Sequence, residues 1–212
     1  MPYKVALFDL DGTLCDTYKD ISFVSNYVLN HFGYGHLNEE TIKSYIGSGA
    51  RVLLERCFKG KSVDLNQALS VFLEKYFEVP IRETVLFEGV AQTLNELSGI
   101  KKIVFTNKPE QISIAILKKL NVLDKFERVI GGDTYEFKKP DPRPINILKL
   151  EFKLDYNDFL MVGDSITDVK TAKAAGIRVC GASYGYGNPV ELELADYKID
   201  KFGELKQIIL GA

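Results

Sequence analysis

The feature that most constrains this chain is a recurrence of short, β-rich apolar runs separated by segments of helical periodicity. The runs are Lys4 to Phe8, Lys102 to Phe105, Phe126 to Ile130, Phe159 to Val162 and Ile177 to Ala182. Each is too short for a helix and stops at a polar or glycine-containing turn. Near-continuous apolar strands that alternate with helices predict a parallel sheet covered on both faces, a three-layer α/β/α arrangement. The crossover helices carry their own signals. Pro109 stands where one helix begins, and Ile112, Ala115, Ile116 and Leu120 form its apolar stripe before Asn121. Ser165 precedes a second, marked by Val169, Ala172 and Ala175, with Gly176 placed to end it in the left-handed conformation.

Residues 15–85 follow a different pattern. Ile21, Val24 and Val28 form one helical stripe, Leu53, Leu54, Cys57 and Phe58 a second, and Leu69, Phe72, Leu73 and Tyr76 a third, with no buried strand among them. The expected organisation is a core of residues 1–14 and 86–212 carrying an all-helical insert, residues 15–85. The tail, residues 201–212, reads as a short closing helix.

Composition removes several function classes. With 27 basic against 29 acidic side chains and no long basic run, binding to nucleic acid or to an anionic membrane is not expected. Cys15, Cys57 and Cys180 lie far apart and form no C-x-x-C pair, so neither a disulfide framework nor a zinc site is indicated, and reduced thiols fit best. Asp9, Asp11 and Asp16 interrupt the place a signal peptide would occupy, and no window approaches the ~20 apolar residues of a membrane span. A soluble cytoplasmic protein is expected. Because His31 and His36 are the only histidines, metal chemistry has to rely on oxygen ligands.

The chemistry-bearing residues gather at expected strand ends. The first run leads directly into Asp9-Leu10-Asp11-Gly12-Thr13, where two carboxylates two residues apart share a face of an extended chain. A second pair, Asp164 and Asp168, follows the fourth run, and ligands of open parallel sheets bind beyond the carboxyl ends of strands. Local structure accounts for part of this: Asp11-Gly12 is a hairpin signal, and Ser165 with Asp168 matches a helix capping box. Four carboxylates on one rim nevertheless repel one another unless a cation compensates. An oxygen-only ligand set suits Mg²⁺, which normally shares its sphere with phosphate oxygens, so the substrate is expected to carry a phosphoryl group. Thr106, directly after the second run, is placed to hold that group, and a lysine of Lys138-Lys139-Pro140-Asp141-Pro142 to add positive charge. One ammonium and one Mg²⁺ leave the four carboxylates with a charge in excess. That deficit favours one protonated carboxyl, the general acid an alcohol leaving group needs. The residues alone do not rank Asp9 against Asp11.

Together, Asp9-Leu10-Asp11-Gly12-Thr13, Thr106-Asn107, Lys139-Pro140-Asp141-Pro142 and Gly163-Asp164-Ser165-Ile166-Thr167-Asp168 resemble the four motifs of the haloacid dehalogenase superfamily, in that family's order. The resemblance implies a Rossmann-like core with a helical type one cap. It implies that Asp9 is the nucleophile, forming an aspartyl-phosphate, and Asp11 the general acid and then base. Thr106 and Asn107 would bind the phosphoryl group, with Lys139 steadying it and Asp9. The implied Mg²⁺ set is Asp9, the Asp11 backbone carbonyl and Asp164, with Asp168 as a further acidic residue. Lys139 is preferred to Lys138 because the family's lysine immediately precedes this proline.

Within the insert, Tyr45 to Leu54 is similar to the cap segment of phosphoglycolate phosphatases, which makes Gly47, Ser48 and Arg51 candidate substrate contacts, with Lys43 and Lys19 as rivals to Arg51. Asp11 favours phosphate over carbon–halogen chemistry, and Ile21 stands where the related sugar phosphomutases carry a cap histidine. The expected activity is Mg²⁺-dependent hydrolysis of a small phosphorylated metabolite, of the phosphoglycolate kind. Inorganic pyrophosphatase, nucleotidase and sugar phosphatase or phosphomutase are alternatives, and a phospho-acceptor signalling domain is the alternative of a different class. Gly185-Tyr186-Gly187 lacks the third glycine of a dinucleotide fingerprint, and Tyr184 and Tyr186 read as packing or loop residues near the rim.

Overall fold

A computed structural model of the chain describes residues 3–79 and 81–211. Its main sheet has six parallel strands: β1 (Val5–Phe8), β4 (Lys101–Phe105), β5 (Arg128–Ile130), β6 (Phe159–Gly163), β7 (Arg178–Ala182) and β8 (Tyr197–Ile199). Their spatial order is β5-β4-β1-β6-β7-β8, so β1 lies inside the sheet between β4 and β6.

Strand alternation sorts the core into two layers. Val5 and Leu7 pack with Ile145 and Leu148 of α7 (Arg143–Phe152) and with Val169 and Ala172 of α8 (Ile166–Ala175). Ala6 and Phe8 face the other layer, with α5 (Val90–Glu96), α6 (Glu110–Lys119) and α9 (Leu205–Leu210). Both faces of the sheet are buried under apolar side chains, which is why the strands read as continuous apolar runs.

All five expected runs contain strands. The third is shorter than expected because a 3₁₀ turn, Leu123–Lys125, takes Phe126 as its end. The edge strand β8 escaped sequence reading since only Ile199 of its three residues is buried. Local signals hold elsewhere: Pro109 caps α6, Ser165 and Asp168 form the capping box of α8, and Gly176 ends it at φ 71°.

Between β1 and α5 come α1 (Tyr18–His31), α2 (Glu39–Lys43), α3 (Ala50–Cys57) and α4 (Leu65–Glu78). They bury the predicted stripes, among them Val24, Val28, Leu54 and Phe72. One feature differs from expectation. The ends of this segment pair as a two-residue antiparallel ladder, β2 (Cys15–Asp16) with β3 (Val85–Leu86), too short to leave a period in the sequence. Asp20, at the start of α1, braces the same junction by accepting from the backbone N–H groups of Arg82, Glu83 and Thr84. Cys15, Cys57 and Cys180 are buried and unpaired. Among the described residues no helix is long and apolar enough to cross a membrane.

Candidate active site

Phe8 lies opposite Val104 and Val162 in register, so the carboxyl ends of β1, β4 and β6 fall within one residue of one another. Asp9 follows the first, Thr106 the second and Asp164 the third. The segment after β5 brings in Lys139, whose Nζ lies 2.9 Å from Asp9 Oδ1 and 2.6 Å from Asp168 Oδ1. Its side chain is 1% exposed. Burial works against the ammonium, but the charges of Asp168 and Asp9 outweigh it and raise the pKa above the ordinary lysine value. Asp168 divides its oxygens: Oδ1 takes Lys139, while Oδ2 accepts from the Ser165 N–H at 3.1 Å and hydroxyl at 2.7 Å. The capping box and the rim charge are two ends of one carboxylate.

Asp9, Asp164 and Asp168 offer carboxylate oxygens that all lie within 4.8 Å of one another. Asp164 accepts from the Thr13 hydroxyl (3.1 Å) and from the backbone N–H groups of Tyr186 (2.6 Å) and Gly187 (3.2 Å). Burial, followed by the charges of Asp9 and Asp168, pushes Asp164 up to about 8. Burial likewise lifts Asp9 above the carboxylate range despite Lys139. Three buried carboxylates with one shared ammonium form an all-oxygen donor set that a hard divalent cation would relieve, and Mg²⁺ fits it. Gly12, at φ +81°, is required beside this group, because a Cβ there would come within 2.3 Å of Asp164 Oδ2.

The expected gathering of four carboxylates needs correction at Asp11. Its side chain stands outside the trio, where Oδ1 accepts from Lys108 Nζ at 2.9 Å and from the Thr17 hydroxyl at 2.7 Å. Lys108 was not singled out by sequence reading, although it directly follows Thr106-Asn107. It is buried, with Nζ 4.5 Å from the centre of the Tyr76 ring. Burial opposes its charge, yet Asp11 and Tyr76 hold its pKa above the ordinary value. This second ammonium offsets the charge of Asp11. Burial first, and the neighbouring carboxylates after it, raise Asp9 and Asp164 and so favour a protonated carboxyl on the rim.

The helical segment closes over these groups. Asn107 donates through Nδ2 to the carbonyls of Gly47 (3.1 Å) and Lys139 (3.0 Å), joining insert and core. Its Oδ1 and the Tyr76 hydroxyl are buried without a protein partner. A cavity of about 30 Å³ remains between Asp9, Asp11, Thr106 and Lys108 below and Ile46, Leu53, Phe72 and Tyr76 above. A wider cleft of about 360 Å³ borders Asp11 and Asp164 on the side of Lys43, Ser48 and Tyr186, and Gly47 lines both spaces. Arg51 borders neither; it is exposed and its guanidinium bonds the Asn66 side chain. Of its rivals, Lys19 pairs with Glu83 at 2.9 Å, while Lys43 lies in the cleft, 4.7 Å from the Tyr18 ring centre.

Residues 6–182 match the family model of haloacid dehalogenase-like hydrolases. The chain belongs to this family. The hydrolase is 36% identical over 194 residues to a phosphoglycolate phosphatase of Nitrosospira multiformis, covering 88% of this chain and 86% of the relative. It is 34% identical over 220 residues to the phosphoglycolate phosphatase of Vibrio cholerae, covering 98% and 97%. Among solved structures, a predicted phosphoglycolate phosphatase from Haemophilus somnus superposes with a TM-score of 0.93 at 29% identity, covering 98% of both chains. The match extends through the helical segment as well as the sheet.

Proposed function

We propose that this hydrolase is a Mg²⁺-dependent phosphatase that cleaves a small phosphate monoester, of the phosphoglycolate kind, through an aspartyl-phosphate. The observation that carries the reading is Lys139 held between Asp9 and Asp168 with Asp164 alongside, at the carboxyl ends of three parallel strands. The similarity to phosphoglycolate phosphatases along nearly the whole chain supports the choice of substrate.

In this reading an Asp9 oxygen attacks phosphorus, the bond from phosphorus to the alcohol oxygen breaks, and the leaving oxygen takes a proton from Asp11. Water then attacks the phosphorus of the aspartyl-phosphate, giving a proton to Asp11; the bond from phosphorus to the Asp9 oxygen breaks, inorganic phosphate leaves and the Asp9 carboxylate is regenerated. The Thr106 hydroxyl, the Asn107 backbone N–H and Lys139 hold the phosphoryl oxygens, and Lys108 and Thr17 orient the Asp11 carboxylate between the two steps. Asp9, Asp164 and the Asp11 backbone carbonyl would hold Mg²⁺, with Asp168 behind them, and the bound ion would neutralise charge on the transferring group.

Residues 15–85 act as a cap on a core of residues 1–14 and 86–212. A cavity of about 30 Å³ has room for no more than a couple of waters, so the cap opens to admit substrate and shuts water out afterwards. Gly47 and Ser48 border the entry cleft, and buried, unpaired thiols suit work in the cytoplasm. The test is phosphate release from phosphoglycolate, pyrophosphate, a nucleoside monophosphate and a sugar phosphate, each with Mg²⁺ and with a chelator. Turnover with Mg²⁺, fastest on phosphoglycolate and abolished by the chelator, is expected. A phosphorylated protein that accumulates without turnover would favour the phospho-acceptor class instead.

A further inference from the structure

Helix α1 begins the cap, and its first turn lacks the usual satisfaction. Thr17 is the N-cap, but its backbone is helical (φ −112°, ψ −6°) rather than extended, its side chain makes no capping hydrogen bond, and its hydroxyl is turned to Asp11, to which it donates. The first backbone N–H groups of a helix need an acceptor from somewhere. Tyr186, on the loop after β7, provides it: the phenol oxygen accepts from Thr17 N at 2.6 Å and from Tyr18 N at 3.1 Å, and donates to Asp16 Oδ1 at 2.7 Å. That residue comes from 169 positions further along the chain.

The same residue is tied to the other end of the site. Its backbone N–H donates to Asp164 Oδ2 at 2.6 Å, and the Gly187 N–H joins at 3.2 Å. Contact here is close enough to exclude a side chain, since a Cβ on Gly187 would lie 1.8 Å from the Asp164 carbonyl oxygen. One residue thus grips a rim carboxylate with its main chain and the start of the cap with its side chain. The ring adds a third contact to the cap, with Lys43 Nζ 5.3 Å from its centre.

We propose that Tyr186 is a positioning residue that couples cation binding at the rim to the hinge of the cap, its amide holding Asp164 while its hydroxyl caps α1. The inference rests on the reading of Asp164 as a carboxylate of the Mg²⁺ site. A cation that draws Asp164 into a fixed orientation orders the loop that bonds it, and the phenol passes that order to α1. Linkage then requires the reverse: whatever frees α1 weakens the cation by the same factor.

The experiment compares amide hydrogen exchange at Thr17 and Tyr18, with and without MgCl₂, in the unaltered protein and in Tyr186→Phe, alongside calorimetric titration with MgCl₂. Tyr186→Phe keeps the ring and removes only the hydroxyl. In the unaltered protein Mg²⁺ is expected to slow exchange at both amides by roughly fivefold, the scale of one capping interaction. In Tyr186→Phe that Mg²⁺-linked slowing disappears, and the Mg²⁺ dissociation constant rises by a matching factor. Asp16→Asn, which leaves an acceptor for the phenol, retains the coupling. A merely structural tyrosine would speed exchange equally with and without the ion and leave Mg²⁺ affinity unchanged, and that result overturns the proposal. Exchange that ignores Mg²⁺ in a protein that binds it overturns the coupling alone. Absence of any Mg²⁺ binding defeats the phosphatase reading and takes the coupling with it.

Discussion

The rim of the sheet and the underside of the helical insert face each other across one cavity, yet they are built on opposite terms. The rim concentrates ionised groups: Asp9, Asp164 and Asp168 share Lys139, and Asp11 takes Lys108. The carboxylates are anchored just beyond the end of a strand or in the first turn of the helix that follows one, and Lys139 reaches them from the loop between β5 and α7. The insert presents Ile21, Ile46, Leu53 and Phe72, with the ring of Tyr76 against Lys108 and the Tyr76 hydroxyl buried without a hydrogen-bond partner. The charged and the apolar lining of the cavity are thus divided between two pieces of chain. The division matters physically because an apolar lid lowers the dielectric over charges whose positions the sheet has already set.

The sharpest way to break this comparison is to remove chemistry from the rim without touching the lid. Asp9→Asn is expected to lower phosphate release by at least about 10³-fold while leaving the fold intact, since Lys139 keeps Asp168 as a partner. Circular dichroism and a steady-state assay on the same preparation check both halves, and a fully active variant would sink covalent catalysis by Asp9. Lys108→Met comes next. It leaves Asp11 with Thr17 alone, and a loss in kcat/KM of about 10- to 100-fold is expected. Arg51→Ala, on the solvent side of the insert, should stay within about twofold. Comparable losses in the two variants would mean that the cavity as described is not where substrate discrimination occurs.

A smaller effect concerns the charges themselves. Asp164 is raised from 3.8 to about 8 by burial first, so between those values the folded, metal-free protein holds a proton that the unfolded chain has released. Stability must then fall as pH rises through that window, by about 1 kcal/mol per pH unit for one group. Mg²⁺ displaces the proton, and its stabilising effect should therefore grow from about pH 5 to about pH 8. Thermal melts with and without MgCl₂ across that range measure it. A Mg²⁺ shift that stays flat or shrinks with rising pH contradicts burial as the origin of the raised carboxylates. Carboxylates held low by their partners, such as Asp158 by the Asp155 backbone N–H and then Lys4, and Asp196, against opposing burial, by Lys173, the Val179 N–H and Arg178, lose their contribution only in more acidic solution and do not obscure the trend.

Much of the rim was readable because its groups sit next to local signals. Asp9 ends an apolar run, Asp164 and Asp168 bracket a capping box, and Thr106 follows a strand directly. Lys108 was equally close to such a signal, but a lysine at a helix start is ordinarily a solvated surface residue, and nothing in the sequence says that the turn will fold inward. Arg51 failed in the other direction. Its neighbours Gly47 to Gly49 do meet the core at Asn107, and two residues later, in the first turn of α3, the Arg51 side chain bonds Asn66. A difference of a few residues along a helix rotates a side chain from cavity to solvent.

The amino-acid order by itself determined a parallel α/β sheet interrupted by helices, since apolar period and breaker residues act over fewer than about twenty positions. It also brought the acidic groups to one edge of that sheet, because parallel strands all end on the same side. Only the tertiary structure decided which partner each charge would have: Lys108 reaches Asp11 across 97 residues, and Tyr186 reaches Thr17 across 169. The first depends on how two strand-end loops of the core fold together and the second on how the insert lies over the core, and both are set by packed surfaces whose meeting no local pattern encodes.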